Sequence, residues 1–323
     1  MDFPFVSVIV AAYNSADTIE RCIRHLLELD YPRYEVIVVD NNSTDDTPQL
    51  VQQVAQASCL PADRMSALRQ FPVAYLQEKK PGWPAARNTA IQHSQARFVA
   101  NIDADCFAER DWLKNLMRVL LNDEKIGGVV GKTKVEPGRT LVQQFYAASD
   151  PFNLEGKLHL GWEFVPWGGG NNVYRKEVFE RIGYYDSDRY KSGADPEFHQ
   201  RMKRLSEYTV RYVPDALIWH VARGTLKELF AVSAKYSFNG RQRAIHHAEF
   251  RNGYEGGAYL KKQLRMMTMN TLGFGYRLLR FAAGRETKLR LVSPLISNVE
   301  RLGAIYGYLK AGWQERRRAD VRR

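Results

Sequence analysis

Hydrophobic and polar positions follow two rhythms along the first 120 residues. Phe5 to Ala11 is a β-branched run that predicts a buried strand. Asn14 or Ser15 is placed to cap the following helix. In that helix Ile19, Cys22, Ile23, Leu26 and Leu27 recur on one face, and Tyr31-Pro32 marks its end. Glu35 to Val39 predicts a second buried strand, followed at once by Asp40-Asn41-Asn42-Ser43. Thr47 with Pro48 reads as the cap and first residue of a helix carrying Leu50, Val51 and Val54. Val73 to Leu76 predicts a short third strand, and Pro81-Gly82-Trp83-Pro84 a turn before a helix from Ala85. Arg97 to Ile102 predicts a fourth strand, ending in Asp103-Ala104-Asp105. The next helix places Trp112, Leu113, Leu116, Met117 and Leu120 on one face.

Strand and helix alternating at this pace predict βαβ units, hence a mostly parallel central sheet with helices on both faces. Ligands of such sheets bind at the carboxyl ends of strands. Here those ends are Tyr13-Asn14, Asp40-Asn41 and Asp103-Ala104-Asp105, three polar exits that converge on one edge and predict a nucleotide there. No G-x-G-x-x-G follows the first strand and no GKS or GKT occurs, which disfavours a dinucleotide fold or a P-loop.

Composition and charge refine this picture. With 45% apolar residues the 323-residue chain has material for a sizeable core. Three scattered cysteines fit a reducing compartment, and Met1 to Pro4 lacks the basic start of a signal peptide. No run of ~18 apolar residues predicts a spanning helix. Residues 1–223 carry 27 Lys/Arg against 29 Asp/Glu, whereas residues 224–323 carry 20 against 7. The basic excess therefore lies entirely in the last hundred residues and predicts a boundary there, with domains at 1–223 and 224–323. Leu295, Val299, Leu302, Tyr306, Leu309 and Trp313 form an apolar seam at helical spacing, with Arg316-Arg317-Arg318 beyond it. Residues 266–283 are similarly apolar but interrupted by Arg277 and Arg280. Two readings stay open: a helix packed on the preceding domain, or one lying in a membrane interface. Anionic headgroups account for both the apolar and the basic features. Nucleic acid accounts for the charge alone, and no nucleic-acid-binding motif is present. The expectation is a cytoplasmic protein, peripheral on the inner leaflet of the membrane.

Asp103 and Asp105, two residues apart at a strand end, are hard oxygen ligands suited to Mg²⁺ or Mn²⁺ completed by substrate phosphates. Asp105 is the stronger candidate for direct metal contact, against the alternative of two surface loop acids. Cys106 reads as a packing residue.

VSVIVAAYNSADTIERCI, EVIVVDNNSTDDT, KPGWPAARNTAI, FVANIDADC and WGGGNNVYRKEVFERIGYYD occur in that order. Together they resemble family-2 glycosyltransferases of the GT-A fold, over about residues 5–222. The resemblance implies an inverting transfer of a sugar from a nucleotide diphosphate donor. It implies nucleotide contact by Tyr13 and Asn14, base or ribose contact by Asp40, donor and diphosphate contact by Arg87 and Asn88, and metal and ribose contact by Asp103 and Asp105. Many members carry a second acid where this chain has Asn41. Arg87 has a second reading, as a structural partner of Asp103. The family's general base aligns with Asp195, in Gly193-Ala194-Asp195-Pro196-Glu197, where Ala194 replaces the usual preceding Glu. Asp-Pro-Glu is also a natural helix start, so Asp195 reads as a cap as well, and Glu197 is a second candidate base. His220, closing the strand-like ALIWH, is a candidate metal ligand. Gly168-Gly169-Gly170 would allow close backbone approach, and Trp162 and Trp167 could stack on sugars. Gln200-Arg201 sits where the family carries Q-x-x-R-W, but the Trp is missing, which favours single-sugar transfer over polymer synthesis.

The resemblance thus implies a metal-assisted (Mn²⁺ or Mg²⁺) transferase. It would take a nucleotide-sugar donor, UDP-linked by family habit, to a lipid-linked or envelope glycan acceptor. A sugar nucleotidyltransferase would need a Gly-rich basic loop after the first strand, which AAYNSADT is not. A catalytically degenerate sugar-nucleotide-binding scaffold at the membrane surface is the remaining alternative.

Overall fold

The computed structural model describes residues 3–58, 73–155, 169–247, 254 and 256–321. The chain forms two compact units, residues 1–135 with 152–221, and residues 136–151 with 222–323.

The first unit is built on an eight-stranded sheet. Its strands are β1 (Val6–Ala12), β2 (Tyr34–Asp40), β3 (Val73–Gln77), β4 (Phe98–Asp103), β5 (Cys106–Ala108), β6 (Ile126–Val135), β7 (Asn171–Arg175) and β8 (Thr209–His220). They lie in the order β3-β2-β1-β4-β7-β6-β8-β5. The four strands read from the sequence form its parallel half, with β1 between β2 and β4 and β3 outside β2. The other half is mixed: β7 runs antiparallel to β4 and β6, β8 runs parallel to β6, and β5 antiparallel to β8.

Alternation along the strands divides the core in two. Val6, Val8, Val10, Val36 and Val38 point to one face, packed under α1 (Ile19–Leu27), α2 (Thr47–Ser58) and α4 (Trp112–Leu120). Ile9, Ile37 and Val39 point to the other, with α3 (Trp83–His93), α6 (Lys176–Ile182) and α7 (Asp195–Leu205). A sheet covered on both faces explains why these strands read as continuous apolar runs. The faces predicted for α1 and α4 are buried, Ile19, Cys22, Ile23 and Leu26 in one and Trp112, Leu113, Leu116, Met117 and Leu120 in the other.

The predicted caps are corrected. Thr18, not Asn14 or Ser15, precedes α1, and it makes no side-chain cap. Asn14 instead takes a left-handed backbone, φ 47°, and its side-chain oxygen Oδ1 accepts the Thr44 N–H at 2.8 Å. Thr47 does not cap α2 with its hydroxyl, which donates to Asp45 and accepts the Ser15 N–H at 2.7 Å. The short polar side chains prefer to tie the β1 and β2 exits together.

The second unit is helical: α5 (Leu141–Ser149), α8 (Leu226–His246), α9 (Gly256–Ala282) and α10 (Lys288–Val321). Thr140 and Thr225 open α5 and α8 with complete capping boxes. α10 lies close against α8. A Cβ on Gly303 would stand 2.3 Å from the Phe230 carbonyl oxygen, and one on Gly307 2.0 Å from that of Ala234. Ile296, Gly303, Gly307 and Ala311 are buried, so the apolar seam at Leu295, Leu302, Tyr306, Leu309 and Trp313 is the exposed face of α10. Among the described residues no helix is long and apolar enough to cross a membrane.

Candidate active site

The parallel register brings the three polar exits side by side. Asp40 stands opposite Ala12, and Asp103 opposite Ala11, so β1 ends between two aspartates. Tyr13 leaves this edge largely exposed. Asp40 is buried, and its carboxylate accepts the Ser43 N–H at 3.2 and 3.4 Å. Asn41, in place of a second acid, fastens a neighbouring loop. Its amide donates to the Glu78 and Lys80 carbonyls at 2.8 Å each, and its oxygen accepts the Gly82 N–H at 2.6 Å.

Asp105 follows β4, and strand pairing carries it to a residue far away in sequence. Cys106 pairs with His220 across β5 and β8, and the Val221 N–H donates to the Asp105 carbonyl at 3.0 Å. His220 Nε2 then lies 3.4 Å from the Asp105 carboxylate, while Nδ1 is 2.6 Å from the Val221 carbonyl. The short Nδ1 contact orients the ring so that Nε2 faces the Asp105 carboxylate. Ligand atoms of Asp105, Cys106 and His220 lie within 4.8 Å of one another. A carboxylate and an imidazole so placed suit a divalent ion that leaves positions for phosphate oxygens. Asp103 stands outside this cluster. The Cys22 thiol, 3.7 Å from the Asp103 carbonyl, is pushed up by burial first and then by Asp105 and Asp103.

Asp103 is instead joined to Arg87. The guanidinium is 1% exposed and donates from Nη2 to Asp103 Oδ1 at 2.7 Å, which is the structural-partner reading. Its Nη1 is 3.6 Å from Asp195 Oδ1. Burial opposes the charge, but Asp103 and Asp195 more than offset it and hold Arg87 above its ordinary range. Asp195 therefore reaches the strand-end edge through Arg87. It is the first residue of α7 after Ala194 and not its cap, so the guanidinium, rather than capping N–H groups, is its charged neighbour.

Two glycines make this bridge possible. A Cβ on Gly169 would lie 2.0 Å from Asp195 Oδ1 and 2.3 Å from Arg87 Nη1. One on Gly170 would lie 2.3 Å from Asp103 Oδ2. The close approach expected of this segment is thus made by the chain's own side chains. Asn172 holds it, accepting from the Asn101 amide and donating to the Gly169 carbonyl, both at 2.8 Å. Trp162, Trp167 and Gly168 lie outside the described residues.

Two candidates are occupied by structural contacts. Asn88 donates to the Tyr185 carbonyl at 2.8 Å and accepts its N–H at 3.1 Å, which positions that segment beside Asp195. Glu197 gives both oxygens to Arg201 at 2.9 Å, which leaves Asp195 as the carboxylate facing the edge. The Arg87–Asp195 pair and the Gly169 contact were not readable in sequence. Their only signal was the Gly-Gly-Asn run itself.

The chain is 29% identical over 225 residues to glycosyltransferase AglE of Haloferax volcanii, covering 68% of each chain. It is 22% identical over 240 residues to a poly-beta-1,6-N-acetyl-D-glucosamine synthase of Staphylococcus aureus, covering 73% of this chain but only 55% of the synthase. In structure it is similar to the mannosyltransferase PcManGT of Pyrobaculum calidifontis, solved with GDP-Man and Mn²⁺. The TM-score is 0.65 at 22% identity, over 97% of this chain and 88% of that one, and the likeness shows the GT-A fold. The family model described as glycosyl transferase family 2 matches residues 7–183, more than half of the sequence, and with the sheet and its strand-end carboxylates this settles the family: the chain belongs to glycosyl transferase family 2.

Proposed function

We propose that the chain moves a sugar, with inversion, from a nucleotide diphosphate donor to a glycan acceptor that is lipid-linked or part of an envelope polymer. The observation that carries this is the convergence at one sheet edge of Asp40, Asp103 and Asp105, with Asp195 joined to Asp103 through Arg87. Tyr13 offers an exposed ring for the base, with Asp40 behind it. Asp105 and His220, with Asp103 beside them, would hold Mn²⁺ or Mg²⁺. Such an ion, when bound, offsets the negative charge that grows on the leaving diphosphate. Inversion requires the acceptor hydroxyl to attack the anomeric carbon from the side opposite the diphosphate. The oxygen–carbon bond forms as the carbon–phosphate-oxygen bond breaks, and Asp195 takes the hydroxyl proton. PcManGT, which shares the fold, was solved with a nucleoside diphosphate sugar and Mn²⁺, which supports a donor of this class. UDP is the first nucleotide to test.

The acceptor reading rests on the second unit. α9 carries Lys261, Lys262, Arg265, Arg277 and Arg280 and no Asp or Glu. Met269, Leu272, Tyr276 and Leu279, at 61, 73, 64 and 72% exposure, form an apolar stripe at helical spacing. With the exposed seam of α10, this fits a helix pair resting on anionic lipid headgroups from the cytoplasmic side.

Calorimetric titration of UDP, GDP, dTDP and CDP, each with Mn²⁺, Mg²⁺ or EDTA, tests the donor half. One diphosphate is expected to bind with metal and to lose most of its affinity in EDTA. Absence of binding under every condition would remove the transferase reading in favour of a membrane-surface scaffold.

A further inference from the structure

We propose that Arg87 is a positioning residue of the transfer: one buried guanidinium, shared by Asp103 and Asp195, sets the distance between the donor end of the sheet and the base. It acts through those carboxylates and does not touch the donor. The inference rests on Asp195 being the base.

Four observations carry it. Arg87 is 1% exposed, whereas the Asp103 side chain is 44% exposed and that of Asp195 8%, so the bridge runs from an open carboxylate to a covered one through a covered cation. The Trp83 ring lies 4.3 Å from the guanidinium and packs against it. The backbone at Gly169 and Gly170 sits directly against all three groups, where a Cβ would collide with each. Finally, the bond from Nη2 to Asp103 is the guanidinium's one close hydrogen bond among the described residues, and Asp195, the Tyr185 hydroxyl and the Trp83 face surround the rest of it. A planar fork can address two carboxylates at once, while a lysine is a point charge that reaches one. Without the guanidinium, the Asp103 and Asp195 carboxylates would lose the cation they share.

Arg87→Lys keeps the charge and breaks the bridge. The full chain is assayed by nucleoside diphosphate release from UDP-glucose, UDP-N-acetylglucosamine and GDP-mannose, with affinity for the free diphosphate measured beside it. In a variant that melts like the parent, turnover is expected to fall about a hundredfold, the cost of a small misplacement of a reacting group. Diphosphate affinity is expected to stay within about threefold. On an Asp195→Asn background, Arg87→Lys should cause no further loss, because residues that act as a unit are not additive. Diphosphate affinity falling with turnover, turnover unchanged, or losses that multiply on the Asp195→Asn background would each overturn the proposal. If Asp195→Asn alone keeps the parent's turnover, the base assignment fails instead, a distinguishable result. Should Arg87→Lys not fold, Gly169→Ala tests the same bridge from its other side, with the same split expected between turnover and affinity.

Discussion

At the scale of single residues, burial decides what each polar group can do. His199 sits buried beside Phe198 and Tyr174, and its Nε2 is hydrogen-bonded to the Tyr174 hydroxyl. Burial pushes it from an ordinary 6.5 down to about 3. Above pH 6.5 it is neutral folded and unfolded alike. Below that the unfolded chain takes a proton that the folded chain refuses, so stability falls as pH drops from 6.5 towards 3. His199→Gln keeps a hydrogen-bonding partner for Tyr174 and cannot titrate. Melting temperatures followed from pH 8 to 4 should then show a smaller acid loss than in the parent, the difference opening only below about pH 6.5. Parallel curves would contradict this. The same scale explains what could be read in advance. Asp103 and Asp105 stood out in the sequence as hard oxygen ligands at a strand end, whereas Asp195 and His220 became candidates through the family resemblance. The tasks of Asn14, Asn41 and Asn88 were not legible, because a carboxamide serves backbone or ligand equally well and only the fold chooses.

At the scale of elements, periodicity revealed β1 to β4, α1 and α4 because both faces of the parallel half are covered and its strands are nearly all apolar. β7 begins with two asparagines and was hidden. Its place is set by side-chain bonds, Trp112 Nε1 donating to Asn171 at 2.7 Å and Asn101 to Asn172 at 2.8 Å, rather than by propensity. The seam of α10 was visible by its spacing, but spacing could not say which face is covered. Glycines decide that. Gly307→Ala puts a Cβ into the Ala234 carbonyl and should destabilise the helical unit by about 1–3 kcal/mol. Gly273→Ala, on open α9 surface with nothing within 4 Å, should stabilise the helix by about 0.5–1 kcal/mol. Denaturant midpoints of the two variants should move in opposite directions. Movement in the same direction would refute the close α8–α10 contact.

At the scale of the whole molecule, charge and exposed apolar surface are concentrated in the second unit. The chain carries a formal net charge of +11, and α9 contributes five cations and no acid. Leu272→Asp places a like charge for headgroups in the middle of the exposed stripe. It should cut flotation with phosphatidylglycerol vesicles at least tenfold, while its melting temperature and diphosphate affinity stay those of the parent. Equal flotation would show that α9 is not the docking helix.

At this sheet edge inverting sugar transfer, as proposed, depends on Asp195 as the base. The most direct test is Asp195→Asn, measured for metal-dependent diphosphate binding and for nucleotide release from the donor that the parent turns over. Binding should survive while release falls by about 10²–10⁴-fold, the range for loss of a general base. Release at the parent's rate by a folded Asp195→Asn variant would contradict the account.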